Sequence, residues 1–152
     1  MINMFERFHN REEELKYLEE EYRKQSFSLI IVYGRRRVGK TFLIKKFLEN
    51  KSYAIYFYVS EMSSKALRSE LAKIVYEKLN IRLSLDPTWE EIFRTLFKYA
   101  REKRVVVVLD EFQRLLEVDR SAITELQKIV DEESASSRIM IVCIGSSVGV
   151  ME

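Results

Sequence analysis

Eight consecutive residues, Gly34-Arg35-Arg36-Arg37-Val38-Gly39-Lys40-Thr41, have the types and spacing needed to cradle a phosphate. They fit the pattern G-x-x-x-x-G-K-[ST], in which loop backbone amides wrap the anion and a helix N-terminus adds the positive end of its dipole. The flanks suit that mechanism. The apolar run from Phe27 to Tyr33 reads as a strand entering the loop, and Phe42 to Leu48 reads as a helix leaving it. Lys40 is expected to reach the terminal phosphates and Thr41 to offer its hydroxyl to Mg²⁺. Phe42, first in the exit helix, completes the candidate cofactor-binding set of Gly34 to Phe42.

A second chemical feature lies about 70 residues on, a distance that accommodates helical crossovers between parallel strands. Arg104 leads into Val105-Val106-Val107-Val108-Leu109, followed by Asp110-Glu111. A continuous β-branched run marks a strand buried on both faces, and it is far too short to span a membrane. An acidic pair at the C-terminal end of such a strand sits where open α/β sheets bind ligands. Asp110 is expected to hold Mg²⁺, directly or through water. Glu111 is expected to take a proton from, or orient, an attacking water. The last apolar strand ends in Gly145-Ser146-Ser147. A small hydroxyl there can hydrogen-bond a terminal phosphate or the water; Ser146 is the first choice and Ser147 the second, with a plain turn as the competing reading.

Composition bounds the remainder. A chain of 152 residues is read as one domain, 1–152, with enough material for a hydrophobic core. The net charge of +2 gives no global basic field, and basic residues alternate with acidic ones, so an autonomous nucleic-acid site is not expected. One Cys and one His are too few for a structural zinc site, and Cys143, inside an apolar strand, reads as a small buried hydrophobe. No signal peptide or membrane span is visible, so no membrane association and a cytoplasmic location are expected. A charged fraction of 33%, with four Gly and one Pro, leans towards a thermophilic protein.

The elements that must position these residues alternate along the chain. Arg11 to Gln25 has helical periodicity with Leu15, Leu18 and Tyr22 on one stripe, Asn10 as N-cap, and Glu12 to Glu14 facing the dipole, its acidic run reading as a solvated face. Strands are expected at Phe27 to Tyr33, Tyr53 to Val59, Val105 to Asp110 and Arg138 to Gly145. A helix starting at Ser63 or Ser64 runs through Leu79, with Leu67, Leu71, Ile74, Val75 and Leu79 inward. Thr88 and Glu91 form a capping box for the next helix, whose Trp89, Phe93 and Phe97 read as core. Ser121 to Glu133 is a further helix. Alternating strands and helices imply a parallel sheet with right-handed crossovers, so all the strand C-termini meet at one edge.

Taken in order, Phe8, Arg11-Glu12 and Leu15, then Val32-Tyr33 with the Gly34 to Thr41 loop, Leu109-Asp110-Glu111-Phe112-Gln113, and Gly145-Ser146-Ser147-Val148-Gly149 resemble the archaeal ATPase family. This family is a branch of the STAND group of P-loop ATPases related to AAA+ proteins. The resemblance covers essentially the whole chain. It implies the three-layer α/β fold of P-loop NTPases, with a parallel sheet of strand order 1-4-3-2. It implies ATP and Mg²⁺ as ligands and a regulatory ATPase role. By the same resemblance Lys40 and Thr41 are phosphate and Mg²⁺ ligands, Asp110 the metal residue, Glu111 the catalytic carboxylate and Ser146 a γ-phosphate sensor. Phe8 to Glu12 is similar to a stretch that contacts adenine in AAA+ relatives, with His9 incidental to it. Gln113 matches the family string without an evident role. For Arg35, Arg36 and Arg37 a solvated basic loop is slightly favoured over side chains that meet another domain.

The sequence stops at Val150-Met151-Glu152, whereas the family resemblance implies a fifth strand, a helical lid and a C-terminal regulatory domain beyond that point. Two expectations follow. With the fifth strand missing, the strand at 27–33 becomes an apolar sheet edge that invites self-association unless another element covers it. Without a lid or a trans-acting arginine, which is worth ~10³–10⁵ in rate in related NTPases, hydrolysis is expected to be slow. Three function classes stay open: an ATPase whose nucleotide state switches a larger machine, a nucleotide-binding module without turnover, and a P-loop kinase. The adjacent Asp110-Glu111 disfavours the kinase, and the absence of an Asn-Lys-x-Asp string disfavours a GTPase.

Overall fold

The valine run after Arg104 becomes a strand with every residue buried, and the rest of the chain is arranged around it. The computed structural model describes residues 2–3, 11–34 and 39–146. Its strands are β1 (Ile2–Asn3), β2 (Ser28–Gly34), β3 (Ala54–Tyr58), β4 (Val106–Asp110) and β5 (Met140–Ser146). The helices are α1 (Arg11–Arg23), α2 (Lys40–Leu48), α3 (Ser64–Leu79), α4 (Trp89–Tyr99), α5 (Gln113–Val118) and α6 (Arg120–Glu133).

All strand pairings are parallel, in the order β1-β2-β5-β4-β3. The four longer strands therefore take the order 1-4-3-2 expected from the sequence. The register aligns Gly34 with Ser146 and Asp110 with Ile144, which sets the ends of β2, β4 and β5 side by side. The edge strand is covered in part by another element, the alternative that the sequence reading left open. Instead of being left bare by a missing fifth strand, β2 has the two-residue β1 beside it, with Ile2 opposite Leu29 and Asn3 opposite Ile30. The start of the chain thus caps part of the edge at 27–33.

Period-two alternation divides the apolar strand residues between two cores. Val105, Val107 and Leu109 of the β4 segment, with Ile139, Ile141 and Cys143 of the β5 segment, pack with residues of α3, α4 and α6. Val106, Val108, Met140, Val142 and Ile144 face the other way, onto Leu18 of α1 and Ile44 and Phe47 of α2. Burial on both faces explains why β4 and β5 read as unbroken apolar runs. Burial also pushes the Cys143 thiol up to about 12, so it packs as a neutral side chain.

Local signals fix most helix starts. Ser63 caps α3, its Oγ accepting from the Ala66 amide, and Asn80 closes the helix in the left-handed region. Thr88 caps α4 by accepting from the Glu91 amide at 3.0 Å. Only that half of the expected capping box forms there: the Glu91 carboxylate accepts from the amide and hydroxyl of Ser84. The aromatic stripe of α4 is core, with Trp89 stacked on Phe93 at 5.8 Å and Phe97 fully buried. The strand bounds and the start of α2 shift by one or two residues from the sequence reading, and three helical features depart from it more informatively. α1 ends at Arg23 because Gln25 turns the chain with φ 58°. α5 was not anticipated. α6 begins at Arg120, capped by Asp119 rather than preceded by a loop to Ser121. The expected N-cap Asn10 lies outside the described residues. Among the described residues no helix is long and apolar enough to cross a membrane.

Candidate functional site

At the C-terminal edge of the sheet, Gly39 is the residue on which the loop turns into α2. It holds φ 77° and ψ 20°, a left-handed conformation that a Cβ would disfavour, while its carbonyl accepts the Leu43 amide. Lys40 and Thr41 therefore occupy the first turn of α2, where unpaired amides and the dipole favour anions. Arg35, Arg36, Arg37 and Val38 lie outside the described residues, as do Phe8, His9 and Ser147. Phe42 points outward and is 66% exposed.

Thr41 and Asp110 converge, as their motifs require. The Thr41 hydroxyl donates to Asp110 Oδ2 at 3.0 Å across 69 residues of sequence. Asp110 is 3% exposed and ends the buried β4. A hydroxyl and a carboxylate are hard oxygen donors of the kind Mg²⁺ uses together with substrate phosphates, in place of an all-protein cage. Among the described residues no group of three or more His, Cys, Asp or Glu is gathered.

Tyr56 also belongs to this cluster, and sequence reasoning missed it. Its hydroxyl donates to the same Asp110 Oδ2. β3 runs parallel to β4 with Tyr56 beside Val108, so alternation turns Tyr56 to the face that carries Asp110. Burial, and then the hydrogen bond to Asp110, push the Tyr56 hydroxyl well above the usual tyrosine range. It remains a proton donor at neutral pH. Lys45 of α2 sits over its ring at 5.0 Å. The missing signal was strand register, which a single sequence does not carry.

Lys40 is engaged by a carboxylate that the sequence reading had assigned to a solvated face. Its Nζ lies 3.1 Å from Glu14 Oε2 of α1, and both side chains are less than one-fifth exposed. The pair borders a small, mostly apolar cavity of about 20 Å³ between α1, α2 and the sheet. To reach a phosphate, the Lys40 ammonium must exchange one anion for another.

Glu111 follows Asp110 with φ 60°, one of the non-glycine residues in the left-handed region. Such a backbone costs an L-residue about 1–2 kcal/mol. The turn is held by the Phe112 amide, which donates to the Ile144 carbonyl of β5. The Glu111 carboxylate accepts from Gln113 Nε2 at 2.7 Å and lies 4.0 Å from the Arg114 guanidinium. Ser146 is buried at the end of β5, in register with Gly34 at the mouth of the loop. The structure thus gathers Lys40, Thr41, Asp110, Glu111 and Ser146 along one edge.

A parallel sheet covered on both faces, with a glycine-hinged phosphate loop after one strand and an acidic pair after another, defines a P-loop nucleoside-triphosphatase fold. Residues 8–152 match the family described as an ATPase domain predominantly from Archaea, and the chain belongs to that family. An uncharacterized protein of Methanocaldococcus jannaschii is 31% identical over 147 residues, covering 95% of this chain and 30% of the relative. An uncharacterized ATP-binding protein of the same organism is 66% identical over 44 residues, which are 29% of this chain and 75% of that protein. Among solved structures, a Walker-type ATPase of Pyrococcus abyssi superposes with a TM-score of 0.67 at 26% identity, covering 95% of this chain and 47% of that one. The chain therefore spans less than half the length of the first and third of these proteins.

Proposed function

We propose that this chain, taken as one domain over 1–152, binds ATP with Mg²⁺ at the C-terminal edge of its sheet and hydrolyses it, and that its nucleotide state acts as a switch on a larger assembly. The observation that carries this reading is the Thr41–Asp110 contact, which joins the two halves of the motif set at hydrogen-bond distance. Membership of the archaeal ATPase family and the similarity to an ATP-binding relative support it.

Each residue then has a distinct task. Loop amides between Gly34 and Gly39 and the first turn of α2 hold the phosphates. Lys40 leaves Glu14 and places its charge on the terminal phosphates. Thr41 and Asp110 would hold Mg²⁺, which when bound would offset the charge that develops on the phosphates. Tyr56 keeps the Asp110 carboxylate oriented through Oδ2. Glu111 orients the attacking water and accepts its proton. Ser146, beside the loop mouth, donates to the γ-phosphate. Because Lys40 is drawn from α1 towards the nucleotide, binding alters a contact between α1 and α2. That contact is a route by which the nucleotide state could reach other parts of the protein.

Phosphate release from purified, nucleotide-free chain tests the reading. Release that requires both ATP and Mg²⁺, stops on chelation, and is lost in Lys40→Ala is the expected result. Tight ATP binding with no release, even under single-turnover conditions, would reduce the chain to a binding module. ATP affinity unchanged in Lys40→Ala would remove the loop from the site.

A further inference from the structure

Gln113 has no task in the account above, yet it is among the most deeply buried polar side chains near the site, at 4% exposure. It is the first residue of α5 and lies two positions after Glu111. Its Nε2 donates to Glu111 Oε1 at 2.7 Å. Its own Oε1 is buried and has no hydrogen-bond partner among the described residues. A carboxylate only accepts, so the amide must turn its NH₂ to Glu111 and its carbonyl into the packed interior. An amide that makes one bond and forgoes another is a poor choice for packing, where an apolar side chain of the same length does better.

Everything around that bond is fixed. The Phe112 amide ties the turn to Ile144, and Leu115, fully buried, anchors α5. Arg114 donates to the Val59 carbonyl at 2.9 Å and to the Tyr58 hydroxyl at 3.2 Å, which parks its guanidinium beside the same Glu111 oxygen. The left-handed backbone at Glu111 directs the side chain into this arrangement. No hydrogen bond from a described residue falls on Oε2. One oxygen of the carboxylate is thus restrained, and the other is left for a ligand.

We propose that Gln113 is the positioning residue for Glu111: it fixes Oε1 so that Oε2 presents its lone pairs to the attacking water. The inference rests on the reading of Glu111 as the water-orienting carboxylate. It follows the general rule that a base is itself oriented by a third group. Gln113 acts through its bond to Glu111, so its removal should act on turnover through geometry alone.

The test compares wild type, Gln113→Met, Glu111→Gln and the double variant in single-turnover hydrolysis, with ATP affinity measured on each. Methionine matches the length of glutamine without donor or acceptor, so the variant should fold and melt no lower than wild type. Its turnover should fall ~10–100-fold, the range for a misplaced reacting group, while KM and ATP affinity stay within about twofold. In the Glu111→Gln background the same substitution should change turnover by less than about twofold, as expected for coupled neighbours. Unchanged turnover in Gln113→Met, or an equal loss in both backgrounds, would overturn the proposal while leaving Glu111 in place. Unchanged turnover in Glu111→Gln alone would instead overturn the reading of Glu111, and this proposal with it. A second measurement needs no turnover: in crystals of Gln113→Met the Glu111 carboxylate should leave its position while α5 stays, and an unmoved carboxylate would overturn the proposal.

Discussion

The two ends of the sheet treat buried polar groups in opposite ways. At the N-terminal end, the Arg104 guanidinium donates to four backbone carbonyls, those of Tyr22, Ser26, Arg138 and Glu21. These bonds tie the end of α1 to the starts of β2 and β5. Beside it, Glu21 accepts from Ser28 and pairs with Lys24. Burial lowers the Arg104 pKa from its ordinary value, opposed in part by Tyr22 and Glu21, and its donors are well matched. At the C-terminal end, Gln113 keeps an unpaired carbonyl, Glu111 sits in a left-handed backbone, and Lys40 is tied to the Glu14 carboxylate. Around Arg104 the buried polar groups are satisfied by one another. On the proposed reading, the end that would bind an anion and move a proton keeps exchangeable contacts, while left-handed backbone occurs near both ends, at Gln25 as well as at Glu111.

That contrast can be broken from either end. The largest effect belongs to Glu111→Gln, which should keep ATP binding and thermal stability yet reduce turnover by ~10²–10⁴, the range for a general base. Steady-state phosphate release and melting curves on one preparation check both halves, and a loss of stability matching the loss of rate would erase the distinction between the ends. Arg104→Met should do the reverse. Leaving several carbonyls unpaired costs about 3 kcal/mol, or a fall in melting temperature of roughly 6–12 °C for a domain of this size. ATP affinity at temperatures where the variant is folded should be unchanged; a melting point like wild type would mean that the four carbonyls find other partners.

Glu14→Gln sharpens the comparison at the site. It removes the anion that competes for Lys40, so ATP affinity should rise by roughly 2–5-fold, as expected for a partly exposed pair. Calorimetry checks this, and weaker binding would show that Glu14 helps to hold the nucleotide. The smallest effect is on acid stability. Burial, the largest influence on Glu133, raises its carboxyl pKa, but Arg101 and Arg94 together bring it below the ordinary 4.5. Hydrogen bonds from Ser121 and then Ser64 lower Asp119 from 3.8. Carboxyls depressed on folding stabilise above their ordinary pKa, and that stability is lost as pH falls through the folded values. Melting temperature should therefore be flat above about pH 5 and drop below about pH 4, and Glu133→Gln should flatten the drop.

Much of this contrast was legible in the sequence, for physical reasons that differ by residue. The positions of Gly39, Lys40, Thr41, Asp110 and Glu111 at the strand ends were readable because motif types recur at fixed spacing next to buried strands. The order of the four longer strands followed from the resemblance to the archaeal ATPase family. Four features were not readable. Tyr56 reaches Asp110 only through the register of β3 on β4, which no local pattern encodes. Glu14 looked like part of a solvated acidic run because the packing of α1 against α2 decides which of those carboxylates meets Lys40. α5, only six residues long, was too short to show a helical period, so Gln113 could be recognised as part of a string but not given a task. The pairing of β1 with β2 was hidden for a similar reason: two residues carry no strand signal.

The central claim is that the C-terminal edge is a nucleotide site in which Lys40 exchanges Glu14 for phosphate. Calorimetric titration of nucleotide-free chain with ATP and Mg²⁺, run side by side on wild type, Lys40→Ala and Glu14→Gln, tests it most directly. The account predicts saturable binding by wild type, loss of tight binding in Lys40→Ala and tighter binding in Glu14→Gln. Folded wild-type chain that binds no ATP, or three proteins with the same affinity, would contradict it.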